Sequence, residues 1–208
     1  MKNYIKLVTI IGFALLIFAC SNDNKTTDST QANQAPEIDN EAVEKYDFRK
    51  AKWGMSRQEV KESEETEPIL ENENTIDYST ILLGMQAQVG YTFKDDELIR
   101  AGFFFFSKLK TKNDYIEKYH SLKEELTKVN GKPVLDTEKQ KDPSQTIDSD
   151  NKGEAVCNGD MLYATQWDLP ATDIQLVLRG EDSECMITIL YLSEEGLRQL
   201  LENRTQQQ

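Results

Sequence analysis

Apolar and polar positions change rhythm several times along this chain. Residues 7–18 (LVTIIGFALLIF) are an apolar run interrupted only by Thr9 and Gly12. Residues 21–45 that follow carry no periodic apolar pattern. In WGMSRQEVKESE, 53–64, Ser56 and Glu59 stand at capping-box spacing, with Met55 and Val60 placed as a hydrophobic staple. A short helix is predicted there, packed by Trp53, Met55 and Val60. A strand is predicted around 76–83. Residues 87–93 place Ala87, Val89, Tyr91 and Phe93 on one face, and LIRAGFFFF, 98–106, is the partner strand across a turn at 94–97. Tyr115, Tyr119, Leu122, Leu126 and Val129 recur at helical spacing, with Asn113 as the expected cap. Asn130-Gly131 and Pro133 end that helix. Residues 136–156 show no core pattern and read as a long functional or mobile loop. Strands are expected at 161–168, 173–180 and 185–192. A last helix is expected with Ser193 as cap and Leu192 stapled to Leu197. The sum is an α+β domain: a twisted antiparallel sheet of about six strands, α-βββ-α-βββ-α, with helices mainly on one face.

The N-terminal run is too short to span a bilayer as a helix, which needs about 20 apolar residues. Lys2 and Lys6 precede it, and small Ala19 and then Cys20 end it. This is the build of a secretory signal. Ile17, Ala19 and Cys20 resemble the lipobox of bacterial lipoproteins. The resemblance implies cleavage before Cys20 and acylation of its thiol. Residues 1–19 are then a signal peptide, 20–45 the lipidated cysteine and a disordered tether, 46–203 one α+β domain and 204–208 a frayed tail. The expected address is the cell envelope, held by lipid. Ser21 favours the outer membrane if the organism has one.

Charge narrows the partners. The chain carries 24 Lys+Arg against 37 Asp+Glu, a net −13. Loss of the leader removes two lysines and no acid, leaving −15. So acidic a body repels nucleic acid and anionic headgroups, and membrane contact falls to the lipid. Seven acids and no base lie between residues 62 and 77, read as a solvated face or a patch for a basic partner.

Candidate chemistry is sparse. Cys157 and Cys185, outside the cytoplasm, are read as a disulfide. His120 is the only histidine and no GxSxG occurs, so a serine-hydrolase site has no basis. DSDNKGE, 148–154, has two acids and a glycine at calcium-loop positions, but Lys152 and Gly159 occupy positions that must ligate. No metal or cofactor is expected. Phe103–Phe106 reads mainly as core, with Phe104 and Phe106 as the aromatics that face a ligand if one sheet face stays open.

The stretches FRKAKWGMSRQEVKESEE (48–65), VGYTFKDDELIRAGFFF (89–105), YIEKYHSLKEELTKVNGKP (115–133) and YATQWDL (163–169) resemble a group of poorly characterised bacterial secreted proteins and lipoproteins. Gly54-Met55-Ser56 followed by Glu59-Val60 is also similar to the start of the SmpA/OmlA family. Its members are small lipoproteins of the outer-membrane β-barrel assembly machinery, with a fold shared by β-lactamase inhibitor proteins. The resemblance implies architecture and carries over no functional residue. The expectation is a non-enzymatic, envelope-tethered module that binds another protein through its sheet face or acidic loops. The alternative is a small-ligand carrier using an apolar sheet face; an enzyme ranks third.

Overall fold

The computed structural model describes residues 46–205. The signal peptide, Cys20 and the tether expected at 1–45, and the last three residues of the tail, lie outside the described residues.

The expectation of six strands is corrected: the domain is one eight-stranded antiparallel sheet with four α-helices. Helix α1 (Arg57–Ser63) is followed by strands β1 (Leu70–Glu71), β2 (Thr75–Leu82), β3 (Met85–Lys94) and β4 (Glu97–Phe105). Then come α2 (Asn113–Asn130), β5 (Leu135–Gln140), a 3-10 turn at Ser149–Asn151 and α3 (Lys152–Cys157). Strands β6 (Met161–Leu169), β7 (Thr172–Glu181), β8 (Glu184–Leu192) and helix α4 (Glu194–Thr205) complete the fold. The sheet order is β1-β2-β3-β4-β8-β7-β6-β5. Two four-stranded meanders, each preceded by a helix, thus meet where β4 pairs with β8.

The two unforeseen strands have little apolar signal. β1 is two residues long. β5, LDTEKQ, is mostly exposed and held by charge: Asp136 pairs with Lys123 at 3.0 Å and Glu138 with Lys152 at 2.6 Å. It lies within the stretch expected to be an irregular loop, which also contains the 3-10 turn and α3. Asn113, expected to cap α2, is its first residue. Its side chain instead accepts from the Gly153 N–H at 2.8 Å and donates to the Asp150 carbonyl at 3.0 Å. Asn113 therefore ties α2 to α3.

Local rules explain most remaining elements. The capping box of α1 is present, with Ser56 and Glu59 bonded reciprocally. Three hairpins turn on two residues with positive φ: Leu83-Gly84, Asp95-Asp96 and Asp182-Ser183. Positive φ at both central positions matches the right-handed twist of the flanking strands. On one sheet face, Tyr78, Val89, Phe103, Ile189, Leu176 and Thr165 form one cross-strand row, and Ile76, Tyr91, Ala101, Tyr191, Ile174 and Trp167 another. These rows are the core. Tyr115, Tyr119 and Leu122 of α2 close over it, while Val129 at the end of the stripe is 84% exposed. Tyr119 bonds Thr165 at 2.6 Å, and Trp167 donates its indole N–H to the Gly131 carbonyl at 3.0 Å.

Helix α4 does not join the other three. Leu192 is buried and stands on the face opposite Tyr191, and with Ile99 it lies outside the main core. Ser193 donates both its N–H and its hydroxyl to the Ile99 carbonyl and caps α4 at Gly196 N–H. Helix α4 thus closes one end of the second face, and no other element among the described residues covers the rest of it.

Candidate functional site: the uncovered face of the sheet

Register defines the uncovered face residue by residue. One row crosses the sheet as Ser79, Gln88, Phe104, Thr188, Val177, Ala164 and Thr137. The next runs Leu70, Asp77, Gly90, Gly102, Leu190, Gln175, Gln166 and Leu135. In these two rows only Asp77 is charged, whereas the row beyond Phe104 carries Arg179 and Lys139. In a chain that is 29% charged, about four charged residues would be expected among so many positions, and solvent-facing sheet positions normally carry more. The hydrophobic period of two identified which strand residues point inward. It left the outward set unremarked because hydroxyls and amides read as ordinary surface.

Phe104 is the largest side chain in these rows. Its ring lies across Gly90, where a β-carbon would come within 3.0 Å of it and 2.9 Å of the Asp77 carboxylate. Any other residue at 90 would push the Asp77 carboxylate aside and crowd the ring. At Gly102 a β-carbon would sit 2.5 Å from the Ile189 carbonyl. The two glycines, directly paired across β3 and β4, make a flat patch beside Phe104. Burial raises the pKa of Asp77, with a hydrogen bond from Gln88 opposing the shift. Toward α4 the face becomes polar. Asp173, buried, accepts from the side-chain amides of Gln166 and Gln175, the latter at 2.8 Å. Arg100 donates to Thr92 at 3.3 Å, and burial lowers its pKa.

Phe106 falls beyond β4 and is 61% exposed. It lines a cleft of about 280 Å³ with Lys108, Tyr115, Arg179 and Cys185, and Phe104 is not part of that cleft. The two candidate aromatics are therefore not gathered around one cavity. Phe103 and Phe105 are core.

Cys157 and Cys185 form a disulfide that ties α3 to β8. His120 is exposed, its ring edge-on to Tyr119 and Tyr163 at 5.5 and 5.8 Å. Desolvation and then Lys123 lower its pKa, while Asp136 and Glu138 oppose. Residues 148–154 form the 3-10 turn and the start of α3.

The acid run at 62–77 is not uniformly solvated. The Glu64 side chain is 5% exposed. It takes two bonds from Arg49 at 2.9 Å and a third from the Tyr91 hydroxyl. Burial, then the bond to Glu64, drives the Tyr91 pKa well above the usual phenol range. Nearby, the Tyr78 hydroxyl is buried with no hydrogen-bond partner among the described residues. Sequence reading missed this cluster because its members are far apart in the chain and Glu64 is embedded among other acids. No helix among the described residues is long and apolar enough to cross a membrane.

No protein-family model, no curated protein and no solved structure matches the chain, so the residues quoted from the sequence remain the whole basis for any resemblance.

Proposed function

We propose that this chain is a lipid-anchored protein of the bacterial cell envelope whose uncovered sheet face docks another protein, without catalysis of its own. The observation that carries the docking is the charge-poor double row around Phe104. Interface centres are depleted in charged residues and anchored by aromatics, and these rows have that composition. The apolar run ending at Ala19-Cys20 supports the anchor. A small-ligand carrier using both Phe104 and Phe106 has less support, because the cleft beside Phe106 excludes Phe104.

The test places a photo-crosslinking residue at Thr188 in the full chain in its native envelope. One dominant crosslinked protein is expected, lost on Phe104→Arg or Val177→Arg while the fold persists. Crosslinking that both substitutions leave unchanged would overturn the docking face. Separately, Cys20→Ala is expected to abolish fatty-acid labelling; an acylated variant would reject the anchor.

A further inference from the structure

The two edges of the sheet are built differently. At one, β5 carries Asp136, Glu138 and Lys139 within six residues, the usual protection of an edge against strand addition. Near the other, β1 covers β2 only at Ile76 and Asp77. From Tyr78 to Leu82 the outer side of β2 faces no strand among the described residues. The Asp77 carbonyl accepts from the Ile69 N–H at 2.8 Å, so Asp77 points its backbone groups outward. By the two-residue alternation of an antiparallel strand, Ser79 and Ile81 do so too. Neither has a backbone partner on that side among the described residues. Residues 78–84, YSTILLG, contain no charge and no proline. Ile81 is 72% exposed and Leu83 47%. Beside this edge lies a cleft of about 280 Å³ lined by Thr66, Ser79 and Thr80 and by two ion pairs, Arg49 with Glu64 and Lys50 with Glu65.

We propose that the β2 edge from Tyr78 to Leu82 accepts, as an added strand, an extended uncharged segment of a partner protein flanked by Lys or Arg. Main-chain bonds to Ser79 and Ile81 supply the affinity, as in other strand additions. Charge selects the occupant. The acid run of 62–77 leads directly into this edge, and residues 46–205 carry 31 acids against 20 bases. A basic segment is drawn in, whereas a second copy of this chain brings the same negative excess. The proposal does not depend on the docking face, because it uses the strand's backbone edge and not its outward side chains.

The test uses the full chain in detergent and a synthetic octapeptide of alternating threonine and valine with lysine at both ends. Amide hydrogen exchange is read by NMR. The peptide is expected to slow exchange at Ser79 and Ile81 at least tenfold. A proline in its centre should abolish the effect, and glutamate ends should weaken binding at least tenfold. Ser79→Pro, which removes an outward N–H, should also abolish it, and Phe104→Arg should leave it intact. Unchanged exchange at Ser79 and Ile81, or equal binding of the glutamate-ended peptide, would overturn the proposal. So would sedimentation of the free chain as a dimer in which those amides are already protected, since the occupant would then be a second copy.

Discussion

Gly180 and Cys157 are in backbone contact: a β-carbon at Gly180 would lie 2.2 Å from the Cys157 carbonyl oxygen and 2.1 Å from that of Val156. Helix α3 rests directly on β7 there, and Gly180 is also the register partner of Cys185. Gly180→Ala therefore separates the helix from the strand at the site of the disulfide. Overpacking of this kind costs about 1–3 kcal/mol. Urea unfolding should show the loss, and the variant should oxidise to the native disulfide more slowly than the parent.

Cys157 and Cys185 are 28 residues apart. Closing a loop of that length in the unfolded chain contributes about 3–4 kcal/mol on chain-entropy grounds. Cys157→Ser with Cys185→Ser should lower the unfolding midpoint accordingly. A double variant as stable as the parent would show that α3 is held by packing alone.

Tyr78 and Tyr91 stack edge-on at 5.9 Å, yet their hydroxyls have opposite consequences. Tyr91→Phe removes a bond to the buried Glu64 carboxylate, worth roughly 1.5–3 kcal/mol. Tyr78→Phe removes a hydroxyl that has no partner and should be neutral or stabilising. Paired denaturation curves decide this: equal losses would contradict it.

Leu83 has φ of 49° in the turn between β2 and β3, a left-handed conformation that a leucine adopts at a cost of about 1–2 kcal/mol. Leu83→Asn should raise the melting temperature, because asparagine tolerates that region.

Burial pushes the pKa of Tyr119 and of Tyr191 up to about 12, above the usual 10. Both phenols stay protonated in the folded chain over a range where they ionise when unfolded. The unfolded state then binds fewer protons, so stability is intact below pH 10 and falls as pH rises toward 12. Unfolding followed at fixed urea across that range should show the decline, with phenolate absorbance appearing together with loss of fold.

The sequence made six of the eight strands, three helices and the disulfide legible. What it concealed has a physical pattern. β5 is stabilised by Lys123 and Lys152 on other elements, so its own residues carry no period. α3 hides because two of its three buried positions, Gly153 and Cys157, are not bulky hydrophobes. Helix α4 was expected with the others, but its placement depends on Gly196, where a β-carbon would lie 2.2 Å from the Ile99 carbonyl. Alternation alone reports no such close approach. The proposed docking face was legible only in part: Phe104 drew notice, while the scarcity of charge in its two rows emerges only when strands are set in register.

The junction of β4 with β8 joins residues 100–105 to residues 187–192. The first meander can be complete while its last strand, bearing Phe103, Phe104 and Phe105, still has one side unpaired. It stays so until nearly ninety more residues have been delivered and ordered. Contacts this distant in sequence form slowly, and an aromatic strand waiting for its neighbour is prone to wrong pairing. The last strand of the first meander thus gains its second neighbour only with the arrival of the second half of the domain.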